Sequence, residues 1–136
     1  MGGGEVGKSL RVLIMDDDEM VRGILKKIFL FLKCEVDDVC NGEEAIEKYR
    51  SSITADQCYD LVVLDIRINN GMGGVEAAQE IKQIHSNAYL VVSSGDSVDQ
   101  VMDNYTDYNF SAMLTKPFTF DSVSALLDNV GNTKDG

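Results

Sequence analysis

The chain has 136 residues, enough for one domain with a single sizeable core, and 44% are hydrophobic against 26% charged, an ordinary balance for a soluble globular protein. Its 12 Lys and Arg against 23 Asp and Glu leave a net charge of −11, which repels a phosphate backbone and argues against direct nucleic-acid binding. No apolar run approaches the roughly 18 residues of a membrane span, and no basic-then-apolar signal segment opens the chain, so a cytoplasmic protein without membrane contact is expected.

In chain order, residues 1–8 read as a disordered, glycine-rich tail, 9–131 as one folded domain and 132–136 as a small polar tail. Residues 10–15 are a nearly continuous apolar run that stops at Asp16, the pattern of a strand buried on both faces of a parallel sheet. Val21, Ile24, Leu25, Ile28 and Leu32 follow at helical spacing. Residues 35–39 suit a short edge strand, and Asn41-Gly42 turns into a helix through Ala45, Ile46 and Tyr49. Residues 60–64 form a second buried run, again ending on a carboxylate, Asp65. Val75, Ala78 and Ile81 mark a third helix, and residues 89–92 a strand ending in Ser93-Ser94-Gly95. Val98, Val101, Met102 and Tyr105 predict a fourth helix, and residues 110–114 a fifth strand closed by Thr115-Lys116-Pro117. Phe120, Val123, Leu126 and Leu127 give the last helix, with Thr119 as its N-cap.

Five βα units with short links imply right-handed crossovers and a parallel sheet with helices on both faces. Cys34, Cys40 and Cys58 form no CxxC pair and leave an odd count, so they read as buried or half-buried reduced thiols. His85, the only histidine, reads as a solvent-facing helix residue.

The chemistry gathers at strand ends, where open α/β sheets bind ligands. Asp16 and Asp17 close the first strand, Asp65 the third, Ser94 the fourth and Lys116 the fifth. With the first and third strands as neighbours, three carboxylates would share one crevice. Two such charges about 4 Å apart repel by roughly 4 kcal/mol at an effective dielectric of 20. Either a carboxyl keeps its proton or a cation sits among them, and an all-oxygen cluster suits Mg²⁺, or Mn²⁺ in its place. Metal, ammonium and hydroxyl are the parts phosphoryl transfer needs, and a carboxylate can serve as nucleophile.

The segments VLIMDDDEMVR, YDLVVLDIR, VVSSGDS and LTKPFTF resemble, in order, the signature segments of response-regulator receiver domains of two-component signalling. The likeness spans about residues 9–130. It implies a flavodoxin-like, doubly wound α/β fold with five parallel strands in the order 2-1-3-4-5 and five helices. It also implies roles. Asp65 would be the phosphoacceptor; Asp17 would bind Mg²⁺ directly, Asp16 mostly through water, and the Arg67 backbone carbonyl would add a ligand. Ser94 would hydrogen-bond a phosphoryl oxygen and Lys116 pair with it. The implied partners are a sensor histidine kinase, or the kinase core of the same parent chain, and a histidine phosphotransfer protein. GMGGVEA and the stretch from SSGDS to MLTKPF further resemble receivers at the C-terminus of hybrid sensor kinases. With no output domain following, the chain is expected to be no enzyme beyond its own phosphorylation and dephosphorylation.

Three departures from the family pattern stand out. The loop after Asp65 reads IRINNGMGG, with one more residue than usual and no Met-Pro, which frees a backbone dihedral and predicts a more mobile loop. Met113 stands where many receivers carry a switching Tyr or Phe, so weakened coupling to the fourth-helix face is expected. Arg67 and Asp96 occupy positions that set the lifetime of the phosphorylated state. A phosphorylation-independent interaction module is the alternative reading. A haloacid-dehalogenase phosphatase would need an Asp-x-Asp pair followed by Thr or Val, and a cap. The formal P-loop match from Gly2 to Ser9 is rejected because a strand follows it rather than precedes it.

Overall fold

A computed structural model describes residues 9–69, 71–95 and 100–135, with side chains described for 9–69, 71–95 and 101–130. The expected tail at 1–8 and the expectation for Asp96 lie outside the described residues. Along the chain run β1 (Arg11–Met15), α1 (Glu19–Phe31), β2 (Glu35–Val39), α2 (Gly42–Thr54), β3 (Leu61–Asp65), α3 (Gly74–Ile84) and β4 (Leu90–Ser94). They are followed by α4 (Gln100–Asp103), a 3₁₀ turn (Tyr105–Tyr108), β5 (Ala112–Thr115) and α5 (Phe120–Asp135). All pairings are parallel and the strand order is β2-β1-β3-β4-β5, the flavodoxin-like receiver topology.

Strand alternation builds two cores. Leu13, Met15, Val62, Leu64, Leu90 and Val92 face one way and pack with Ala45, Ile46 and Tyr49 of α2 and Ala77, Ala78 and Ile81 of α3. Val12, Ile14, Leu61, Val63, Val91 and Leu114 face the other way, against Leu25 and Phe29 of α1 and Val123, Leu126 and Val130 of α5. Each fully buried aliphatic side chain contributes about 1.5–3 kcal/mol of transfer free energy. The central strands β1, β3 and β4 are buried on both sides, so they read as unbroken apolar runs.

Side-chain caps fix where the helices start, and with them the loops of the carboxyl edge. Asp18 Oδ1 accepts from the Met20 and Val21 N–H groups at 3.0 and 3.3 Å. Asn41 Oδ1 accepts from Glu44 N–H at 2.9 Å. Thr119 Oγ1 accepts from Ser122 N–H at 3.0 Å while Ser122 Oγ takes the Thr119 N–H at 3.2 Å, a reciprocal capping box.

Several expectations are corrected. The expected fourth helix is described from Gln100 to Asp103, with Val98 outside the described residues; Asn104 then leaves helical geometry, Tyr105 opens a 3₁₀ turn, and Asn109 stands at φ +76°. The expected tail from 132 is helical through Asp135: no proline interrupts α5, and Gly131 costs only about 1 kcal/mol in a helix interior. His85 is not a solvent-facing helix residue. It caps the C-terminus of α3, and its Nδ1 shares a 2.7 Å hydrogen bond with the hydroxyl of fully buried Tyr49. Of the thiols, Cys34 is buried and pushed up to about 11 by that burial, Cys40 is intermediate, and Cys58 is exposed, contrary to expectation.

Candidate functional site

β1 and β3 are hydrogen-bonded neighbours, which sets Asp16 and Asp65 side by side at their carboxyl ends. The same alternation that aims Ile14, Val63 and Leu114 at α1 and α5 carries Asp16, Asp65 and Lys116 to that side of the sheet. Ser94 has the opposite parity and ends β4 one register position beyond Ser93, the partner of Asp65. These residues line a cleft of about 340 Å³ together with Asp17, Asp18, Arg67 and Gly95.

Asp16 and Asp65 are 3% and 4% exposed, so neither charge is relieved by solvent. Lys116 spans them, with Nζ 3.0 Å from Asp16 Oδ2 and 3.2 Å from Asp65 Oδ2. Burial, then the Asp16 carboxylate, pushes Asp65 up to about 6, against the pull of Lys116. Burial works to lower Lys116, but its bonds to Asp16 and Asp65 hold it above the ordinary lysine value. One carboxylate oxygen each from Asp16, Asp17 and Asp65 lie within 4.8 Å of one another.

The main chain fixes the acids. Asp16 Oδ1 accepts the Asp18 N–H at 2.9 Å and Asp17 Oδ2 the Asn69 N–H at 2.9 Å, while Arg67 N–H approaches Asp65 Oδ1 at 3.4 Å. The Asp16 carbonyl accepts from Arg22 Nη1 at 2.7 Å, and Arg22 and Lys26 both bind Asp38 of β2, at 2.7 and 3.0 Å. Partial burial works against it, yet those two cations hold the Asp38 carboxyl below its usual range.

Sequence reasoning named the residues that converge here: Asp16, Asp17, Asp65, Ser94, Lys116 and Arg67 all line the cleft. It missed Arg22 and Asp38, whose pairing across a helix and a strand leaves no periodic trace. It also took the loop after Asp65 as freed by its missing proline. Among the described residues of that loop, the Asn69 N–H donates to Asp17, and Met72 is bonded to Glu43 and Gly42; Asn70 lies outside the described residues. Met113 is 44% exposed on β5, at a cavity of about 440 Å³ shared with Tyr105 and α5.

The donor set fits a hard divalent cation. Three carboxylates converge in an open cleft, and two of them, Asp16 and Asp65, share the ammonium of Lys116. Among the described residues, no thiol or imidazole lines the cleft.

Comparison with known proteins agrees with this geometry. The family profile described as "Response regulator receiver domain" matches residues 12–128. The chemotaxis protein CheY of Halobacterium salinarum is 31% identical over 121 residues, covering 88% of this chain and 95% of that protein. The transcription factor SKN7 of Chaetomium thermophilum is 32% identical over 120 residues, and there the chain spans only 15% of the relative's length. Among solved structures, the CheX-CheY-BeF3-Mg complex of Borrelia burgdorferi superposes with a TM-score of 0.82 at 25% identity, covering 93% of this chain and 92% of that one. The response regulator TrrA of Thermotoga maritima, in complex with Mg-BeF, gives 0.76 at 28% identity, covering 89% and 98%. With this fold, this cleft and these relatives, the chain belongs to the response regulator receiver domains, the modules that receive the signal in two-component phosphorelays.

Proposed function

We propose that Asp65 accepts a phosphoryl group from the phosphohistidine of a sensor histidine kinase or a histidine phosphotransfer protein. Asp16, Asp17, Asp65 and the Arg67 backbone carbonyl would hold Mg²⁺, with Mn²⁺ able to replace it. The observation that carries this reading is the cluster itself: three converging carboxylates, two of them buried and sharing the Lys116 ammonium, with the Asp65 carboxyl pushed up to about 6. A divalent cation, when bound, supplies the missing positive charge for the carboxylates and the transferring oxygens.

The residues then have separable tasks. An Asp65 carboxylate oxygen attacks phosphorus; the new O–P bond forms as the donor's N–P bond breaks, and the electron pair leaves with the imidazole nitrogen, which is protonated from solvent. Once phosphorylated, Asp65 no longer carries the carboxylate charge that held Lys116 at 3.2 Å, so the ammonium turns to a phosphoryl oxygen. The Ser94 hydroxyl, buried at the end of β4, donates to another. Ser94 is paired in register with Thr115, so its movement acts on β5 and the Met113 face beyond it. As an isolated module the chain catalyses only its own phosphorylation and dephosphorylation. Its donor is the kinase core of its own parent chain or of a separate kinase, a placement in keeping with the sensor kinase/phosphatase LuxN of Vibrio harveyi, 28% identical over 122 residues.

Incubation with acetyl phosphate and Mg²⁺, read by intact mass, tests this. One added phosphoryl group that requires metal and is lost in Asp65→Asn is the expected result. An adduct that persists in the variant would move the acceptor elsewhere. No adduct in the wild type would favour a phosphorylation-independent interaction module.

A further inference from the structure

Glu43 lies outside the cleft, exposed on the first turn of α2, yet its carboxylate is committed to the loop that follows Asp65. Its Oε1 accepts the Met72 N–H at 2.9 Å, and the adjacent Gly42 N–H donates to the Met72 carbonyl at 2.8 Å. Both main-chain groups of Met72 are therefore held by the start of one helix. The approach is close enough to exclude side chains. A Cβ on Gly42 would stand 2.8 Å from the Met72 carbonyl oxygen, and one on Gly71, at φ +110°, would stand 3.0 Å from Glu43 Oε1. Further up the same loop, the Asn69 N–H holds Asp17 Oδ2 at 2.9 Å, and Arg67 lines the cleft. Met72 is thus pinned to α2, and Asn69, on the other side of the undescribed Asn70, to a carboxylate of the acidic cluster.

We propose that Glu43 is a positioning residue for the metal site: by fixing Met72 it fixes the loop whose Asn69 amide orients the Asp17 carboxylate. The proposal rests on the reading of Asp16, Asp17 and Asp65 as metal ligands. A ligand oxygen held in one orientation binds without first losing rotamer freedom, and groups that orient ligands commonly change metal affinity about 10–100-fold. Glu43 acts two hydrogen bonds away, so a smaller effect is expected. Here a carboxylate and a tight Gly–Met contact hold the loop in place of the proline it lacks.

Calorimetric titration of Mg²⁺ into the wild type, Glu43→Ala and Glu43→Gln, with hydrogen exchange at the Asn69 and Met72 amides, tests it. Glu43→Ala should bind Mg²⁺ about 3–10-fold more weakly and exchange faster at both amides. Glu43→Gln, which keeps an acceptor oxygen, should stay within about twofold of the wild type. The Asn69 amide is decisive, because Glu43 does not touch it and a purely local loss at Met72 would leave it unchanged. Wild-type Mg²⁺ affinity in Glu43→Ala, or weaker binding with Asn69 exchange unaltered, would overturn the positioning role alone. A wild type that binds no Mg²⁺ would overturn the metal reading, and this role with it.

Discussion

The two ends of the sheet both carry charge, and they handle it in opposite ways. At the amino end Arg11 meets Glu35 at 3.1 Å and Asp37 at 3.9 Å, donates to the Gln57 carbonyl, and lies 5.2 Å from the Tyr59 ring centroid. The Glu35 and Asp37 side chains are 62% and 40% exposed there, so water shares the load. At the carboxyl end Asp16 and Asp65 are nearly sealed off, and one lysine serves both. Solvated pairs of the first kind hold strands in place and little more. Buried, undercompensated charge of the second kind is unfavourable until something arrives to balance it, and that is the mark of a site rather than a strut.

The largest break in that comparison is expected from Lys116→Ala. Phosphorylation by acetyl phosphate should slow by about 10²–10³-fold, because a cation aimed at the phosphoryl oxygens is gone. Mg²⁺ should bind more tightly, not less, since the competing ammonium has left Asp16 and Asp65. A mass time course and a metal titration give the two readouts, and a parallel fall in both would contradict these roles.

A second expectation concerns pH in the metal-free protein. The Asp65 carboxyl sits at about 6 in the fold, against about 3.9 in the unfolded chain. A raised pKa means that the folded form holds the proton more tightly, so this contribution to stability is fully present below about pH 4 and is lost as pH rises through about 6. The loss is on the order of 2 kcal/mol, and denaturant unfolding across that window should show it in the wild type but not in Asp65→Asn. For the same reason Mg²⁺ affinity should fall as pH drops below about 6.

The smallest effect belongs to the other end. Arg11→Ala should cost at most about 1 kcal/mol, the range of exposed ion pairs, and leave Mg²⁺ binding unchanged. A shift in metal affinity would mean that the two ends are coupled through β1 and would dissolve the contrast.

Much of this was legible in the residues. The strands that lead to Asp16 and Asp65 are buried on both faces or nearly so, and their apolar runs announce themselves; the polar residue that stops each of these two runs is the one delivered to the crevice. Thr119 and Asn41 could be placed because caps act over three residues. The end of the fourth helix was misplaced, because the apolar spacing runs on to Tyr105 while the backbone leaves helical geometry at Asn104. The clamps were invisible for a different reason. Arg22 to Asp38, Asn69 to Asp17 and Glu43 to Met72 are each a single polar contact between distant segments, and no spacing rule ties their partners together.

The central claim, that the crevice is held short of positive charge, is tested most directly by thermal unfolding of the wild type and Asp65→Asn above the carboxyl's pKa of about 6, with and without excess Mg²⁺. Without metal the variant should melt higher, because a buried repulsion is removed. Added Mg²⁺ should raise the wild type more than the variant and narrow the gap. A variant that melts no higher than the wild type without metal, with Mg²⁺ moving neither, would show that Lys116 alone satisfies the carboxylates and that the charge imbalance does not exist.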